Sequence, residues 1–202
     1  MIGVIDYRIS NLQSVLNALE RLDAKAFVVD EPAGIRRASK LLLPGVGAFA
    51  DAMMQLHKLN LVQALEEAVK EHEKPVLGIC LGMQLLARHS EEGDVDGLAW
   101  LPATVRRLQP NDQKLRVPHI GWNELNIRSP GKLLAGVPED ACAYFVHSFY
   151  LDVEEENIVS ATTDHGGNWT AVIESGGLFG AQFHPEKSDE AGLIMLRNFS
   201  RL

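Results

Sequence analysis

Four short apolar runs, separated by stretches of helical periodicity, constrain this chain more than any other feature. They are MIGVI at 1–5, AFVV at 26–29, KLLL at 40–43 (with its leading lysine) and PVLGI at 75–79. Between the first two, Leu12, Val15, Leu16, Leu19 and Leu22 fall on one face of a helix. Ser10 and Gln13 have the spacing of a capping box at its start. Leu56, Leu59, Val62, Leu65 and Val69 predict a second helical stretch, and a third helix should begin just after Cys80, carrying Leu81, Leu85 and Leu86. Strands that are apolar on both faces need cover on both faces. The alternation therefore predicts a parallel sheet with helices on either side.

From about residue 97 to 182 the texture changes. Shorter strand-like runs appear at 104–108, 142–146, 158–162, 170–174 and 178–182, punctuated by Asp112, Pro118, Gly131, Gly166–Gly167 and Gly176–Gly177. This half should be mixed or partly antiparallel. A last helix at about 190–200 carries Leu193, Leu196 and Phe199. With no internal repeat or linker in view, the expected fold class is α/β, a mixed, mostly parallel central sheet flanked by helices, with residues 1–202 as a single domain.

Composition narrows the function. A net charge of −8 argues against nucleic acid as a partner, because phosphate binding needs a basic surface. The two cysteines, Cys80 and Cys142, form no CxxC pair and have no spaced histidines beside them, so no metal site is expected. The opening run is broken by Asp6 and Arg8 and lacks the pattern of a signal peptide. No apolar stretch approaches the roughly 20 residues that cross a bilayer. A cytoplasmic protein with no membrane partner is expected.

The chemistry starts at Pro75-Val-Leu-Gly-Ile-Cys-Leu-Gly-Met-Gln-Leu-Leu86. A buried strand runs through Gly78 to Cys80 and Gly82, and helical spacing follows, which is the context of a nucleophile elbow with cysteine in the serine position. A nucleophile on so tight a turn tolerates no bulk on its neighbours, hence the glycines. Backbone N–H groups at the helix start favour a thiolate, and that of Leu81 can donate to an oxyanion. An isolated cysteine is more often a small buried hydrophobe; here the flanking pattern argues for catalysis.

A thiolate attacking an amide needs a proton donor for the departing nitrogen, and histidine is the usual one. His57, His72 and His89 lie in or beside amphipathic stretches and His165 sits at a turn. His184 differs, because it ends the strand-like LFGAQF and opens His-Pro-Glu-Lys-Ser. Glu186 would then fix the imidazole tautomer. His119 and His147 are candidates for supporting roles.

Gly78-Ile-Cys-Leu-Gly-Met-Gln84 together with Phe183-His-Pro-Glu186 resembles the signature of the class I, triad-type glutamine amidotransferases. Asp6-Tyr7 with Asn11, Pro44-Gly-Val-Gly-Ala-Phe49, Pro118-His-Ile-Gly-Trp-Asn123, Tyr144-Phe-Val-His-Ser148 and Lys187 narrow the likeness to glutaminase subunits of imidazole glycerol phosphate synthase. The resemblance spans essentially the whole chain. It implies a flavodoxin-like sheet, hydrolysis of L-glutamine to glutamate and ammonia, no cofactor, and a heterodimer with a barrel-shaped cyclase subunit that receives the ammonia in histidine biosynthesis. Cys80 would form the glutamyl thioester, His184 act as acid and base, and Glu186 orient it. Gln84 would hold the substrate with the backbone around Ser148 and Phe149, and Gly45 and Val46 would supply a second oxyanion donor. Asn11, Trp122 and Lys187 resemble positions facing the partner; from the residues alone Trp122 could equally be a core aromatic and Lys187 a solvated charge. Arg8, Ile9 and Ser10 stand where family members commonly have glycines. A glutaminase serving another synthase, such as one making anthranilate or aminodeoxychorismate, and a non-catalytic scaffold remain as alternatives.

Overall fold

A computed structural model describes all residues from Met1 to Leu202. The first half follows the predicted alternation: β1 (Ile2–Ile5), α1 (Leu12–Arg21), β2 (Ala26–Val29), α2 (Pro32–Arg37), β3 (Lys40–Gly45), α3 (Phe49–Lys58), α4 (Leu61–Lys70), β4 (Val76–Cys80) and α5 (Leu81–Gln84). The second half contains short strands β5 (His89–Ser90) and β6 (Val95–Asp96), then β7 (Ala103–Arg107), β8 (His119–Glu124) and β9 (Asn126–Ile127). It continues with β10 (Cys142–His147), β11 (Phe149–Val153), β12 (Val159–Asp164), β13 (Asn168–Ser175), β14 (Leu178–Ala181) and α6 (Asp189–Arg201).

The central sheet runs β2-β1-β3-β4-β14-β13-β12-β9. Its first five strands are mutually parallel and the rest antiparallel, so the sheet is mixed and mostly parallel as expected. β1, β3 and β4 bury nearly every side chain, and two apolar clusters form on the sheet. One gathers Leu41, Leu43, Phe49, Leu56, Leu65 and Val76; the other gathers Val4, Leu19, Leu42, Phe179, Leu196 and Phe199. Alternation along β3, with Leu42 in one cluster and its neighbours in the other, is the period-two pleat dividing one strand between two cores. β8 and β10 form a separate antiparallel ribbon, and β11-β7-β5-β6 a small second sheet.

Three helical expectations need correction. The capping box is absent: Asn11 occupies the cap position of α1 without a side-chain cap, and Gln13 Nε2 instead donates to Asn17 Oδ1 at 2.7 Å. The helical stretch over 56–69 is two helices, broken where Asn60 takes a left-handed conformation at φ 54°, a geometry asparagine tolerates better than most residues. The helix after Cys80 ends at Gln84 rather than running through Leu86, because the carbonyls of Leu85, Leu86 and Ala87 accept from the backbone of 98–101 instead of a further helical turn. The sequence pattern also gave no helix over Pro32–Arg37 and no strand over His119–Glu124, both present. No helix is long and apolar enough to cross a membrane.

Candidate active site

The carboxyl ends of β3, β4 and β14 meet side by side, with Gly45 in register with Cys80 and Ala181 in register with Ile79. Open α/β sheets place their ligands at this edge. Cys80 ends β4 at φ 53°, ψ −110°, a strained conformation for a residue with a side chain. The flanking glycines are sterically obligatory. A Cβ on Gly78 would lie 2.6 Å from the backbone of Gly82 and Met83, and one on Gly82 would overlap the carbonyl oxygen of Leu43. The elbow is thus pressed between its own strand and β3, which fixes where the sulfur emerges.

The sulfur faces Gln182 Nε2 at 3.7 Å and the Val146 carbonyl at 4.0 Å. His184 follows β14 by three residues and is held by its main chain. Its N–H donates to the Tyr144 carbonyl at 3.0 Å, and its own carbonyl accepts from Ser188 Oγ at 2.7 Å. Nδ1 pairs with Glu186 Oε1 at 2.8 Å, with the two side chains only 2% and 1% exposed. Nε2 has no partner in the protein's hydrogen-bond network, leaving it the free end of the imidazole. Burial by itself lowers the His184 pKa. The Cys80 sulfur and the Glu186 carboxylate together outweigh that and raise it to about 9, so the ring carries a proton at neutral pH.

Cys80 and His184 line one cavity of about 380 Å³ with Val46, Gly47, Leu81, Gln84, Glu92, Pro118, Val146, His147, Ser148 and Phe149. The structure therefore brings together Cys80, His184, Leu81, Gln84, Val46, Ser148 and Phe149, with Glu186 behind the histidine and Gly45 behind the loop. Gln84 is bound into the wall: Nε2 donates to the Phe149 carbonyl at 3.0 Å and to Gln182 Oε1 at 3.1 Å. The carbonyls of Ser148 and Phe149 are both taken within the protein, the first by Leu108 N–H and the second by Gln84 and His147. At Gly45–Val46 the expected second oxyanion donor is turned aside. The Val46 N–H donates to the Ile9 carbonyl at 3.2 Å, so it is already engaged within the protein.

Two features escaped the sequence reading. Glu92 is the single carboxylate lining the cavity; its Oε2 accepts the Phe49 N–H at 2.9 Å, tying the wall to the start of α3. No local motif marks it. The second is a histidine chain. His147 Nδ1 donates to the Phe149 carbonyl at 2.8 Å, so its Nε2 must accept; His119 Nδ1 lies 3.2 Å away and supplies that proton. His119 Nε2 then accepts from Asn123 Nδ2 at 3.2 Å. The His119 ring is stacked between Phe145 and His165. Burial, with the neighbouring histidines adding to it, lowers His119 to about 3. Burial also lowers His147, to about 4, against the opposing pull of its bond to Phe149.

Of the residues expected to face a partner, Trp122 is 52% exposed, which removes the core-aromatic alternative. Its ring meets Tyr144 edge-on at 6.1 Å, and the exposed Lys187 places Nζ 5.9 Å above the same tyrosine. Ile120 and Val146, paired across the β8–β10 ribbon, expose apolar surface beside them. Asn11 is half-buried at the start of α1, which packs against the 185–187 turn.

A strained cysteine elbow thus shares a cavity with a buried His–Glu pair at the carboxyl edge of a mostly parallel sheet, the arrangement found in cysteine hydrolases of the triad type. The profile described as glutamine amidotransferase class-I matches residues 3–201, and the chain belongs to that family. It is 48% identical over 202 residues to the imidazole glycerol phosphate synthase subunit HisH of Moorella thermoacetica, covering 100% of this chain and 94% of the relative. It is also 44% identical over 203 residues to subunit HisH 1 of Campylobacter jejuni, covering 100% of both. Among solved structures, PurLQS from Thermotoga maritima superposes with a TM-score of 0.72 at 20% identity, over 98% of this chain and 96% of that one; it shares the fold.

Proposed function

We propose that the protein is the glutamine-hydrolysing subunit of imidazole glycerol phosphate synthase, acting through Cys80, His184 and Glu186. One observation carries the reading: the Cys80 elbow opens into the same cavity as an imidazole whose other nitrogen is anchored on a buried carboxylate at 2.8 Å. The sulfur attacks the carboxamide carbon of L-glutamine. His184, protonated at neutral pH, gives its proton to the departing nitrogen, so ammonia leaves and a glutamyl thioester remains. The neutral imidazole then takes a proton from water, which attacks the thioester and releases glutamate. Glu186 keeps Nε2 aimed at the reaction throughout.

Glu92 is positioned to meet the α-ammonium of glutamine, and Gln84 keeps Oε1 for the substrate while its amide braces the wall. Leu81 N–H is one oxyanion donor, being at the start of α5 where helical N–H groups lack internal partners. Val46 N–H is the other, and it serves only after the Gly45–Val46 peptide rotates away from Ile9. That requirement gives the isolated subunit little activity and leaves rotation to the partner.

The partner in this reading is the cyclase subunit. It docks on the apolar face of Ile120, Trp122 and Val146, flanked by Lys187 and Asn11, and receives ammonia before bulk water protonates it. Residues 1–202 act as one domain. The test is a glutaminase assay of the chain alone, with the cyclase subunit, and with the cyclase plus its nucleotide ligand. Turnover should be weak alone, strong with both, and lost in Cys80→Ala. High turnover by the lone chain that the cyclase leaves unchanged refutes the docking part; turnover by Cys80→Ala refutes the chemistry.

A further inference from the structure

Tyr7 lies just beyond the carboxyl end of β1, its side chain fully buried, and its hydroxyl has no hydrogen-bond partner. Buried polar groups are seldom left unpaired in native proteins, and those that are call for a reason. The place of this one is specific. A Cβ added to Gly45 would overlap the Tyr7 hydroxyl, and would lie 3.0 Å from Leu81 Cβ and 3.1 Å from Gly82 N. The hydroxyl therefore rests against the Cα of Gly45, at the joint between the loop after β3 and the cysteine elbow. Burial, with the Cys80 charge adding to it, pushes the phenol upward, so it remains an O–H donor.

Rotation of the Gly45–Val46 peptide has two consequences. It frees the Val46 N–H from the Ile9 carbonyl, and it swings the Gly45 carbonyl toward the side that the N–H has left. There it would meet the Ile9 carbonyl, acceptor against acceptor, and a carbonyl stranded in a closed environment is unfavourable. A donor must receive it. The unpartnered hydroxyl against Gly45 belongs to the same 6–11 loop as Ile9. We propose that the Tyr7 hydroxyl is the latch that accepts the rotated peptide, by donating to the Gly45 carbonyl and so holding the Val46 N–H in the oxyanion hole. Tyr7 is then a positioning residue: it touches no substrate, and it is idle in the resting loop and engaged in the working one. The proposal rests on the reading of Val46 as an oxyanion donor given above.

An idle hydroxyl makes the outcome unusual. Tyr7→Phe keeps the ring that fills the core and removes only the unpaired oxygen. The variant should melt at the same temperature as the wild type or higher, because an unsatisfied buried group is gone. In the complex with the cyclase subunit and its nucleotide ligand, kcat for glutamine should nevertheless fall about tenfold or more, with KM within about twofold. Alkylation of Cys80 by iodoacetamide, a displacement that needs no oxyanion hole, should proceed at the wild-type rate. A kcat within about twofold of wild type would overturn the latch, as would a lowered melting temperature accompanied by a raised KM, the mark of a merely structural residue. The underlying function is tested separately. Turnover by Cys80→Ala removes the triad reading and the latch together, whereas full turnover by Tyr7→Phe with the triad intact removes the latch alone.

Discussion

The histidine chain makes acid the condition under which this fold should weaken first. His147 is held neutral inside, with its pKa near 4, while the unfolded chain takes up a proton near 6.5. A group whose folded pKa is depressed contributes stability above its unfolded value and loses it as pH falls between the two. At pH 5 the loss depends chiefly on the unfolded value: about 1.5 units at about 1.4 kcal/mol each, or about 2 kcal/mol. His119 shifts the same way, to about 3. Discounted by half because its partner Asn123 is only half-buried, it adds about 1 kcal/mol. His184 does not mask the effect. Its folded pKa is raised to about 9, so its contribution is complete below pH 6.5 and is lost only as pH climbs toward 9. For a chain of this size the sum of about 3 kcal/mol corresponds to a fall in melting temperature of about 6–12 °C between pH 7 and pH 5. Scanning calorimetry of wild type and of His147→Gln measures it, with about two-thirds of the drop absent in the variant. Nitrogen NMR gives an independent reading: both rings should stay neutral at pH 5, with the proton on Nδ1 in each. An identical pH slope in the two proteins, or imidazolium signals from either ring at pH 5, would refute the reasoning.

Two further expectations concern the backbone. Gly82→Ala should cost about 3 kcal/mol in urea unfolding, because its Cβ meets the Leu43 carbonyl, which is main chain of a central strand and has nowhere to move; a loss under about 1 kcal/mol would show the elbow to be slack. Arg8 sits at φ 72°, where glycine is comfortable and other residues are strained. Arg8→Gly should therefore be more stable than Arg8→Ala by about 1 kcal/mol, the reverse of the order at an ordinary position, as thermal melts of the pair would establish.

What the sequence revealed and what it hid follow from the range of the interactions. Cys80 was legible because its demands are local: the glycines that permit the turn stand two residues to either side, and the strand and helix starts adjoin them. His184 and Glu186 were legible for the same reason. The His119–His147 bond joins residues 28 apart and exists only because β8 and β10 pair with those two opposite each other, a register that no local pattern carries. Glu92 looks like any acidic loop residue until the start of α3 is placed against it. The departure at Arg8-Ile9-Ser10 was visible as a string, but the capping explanation failed. The residue instead keeps the left-handed turn a glycine would make, braced by Asp6 and Asp30 at 3.3 Å each. α4 was merged with α3 since hydrophobic spacing runs through Asn60 without a gap; only the backbone angle there separates them.

The mooring of His184 to Tyr144 has a mechanical corollary. The strand whose carbonyl suspends the imidazole's main chain carries, on its outer face, the ring that Trp122 and Lys187 crowd against. The exposed-side ring and the carbonyl that moors His184 belong to one residue, so whatever settles on the ring bears directly on the mooring.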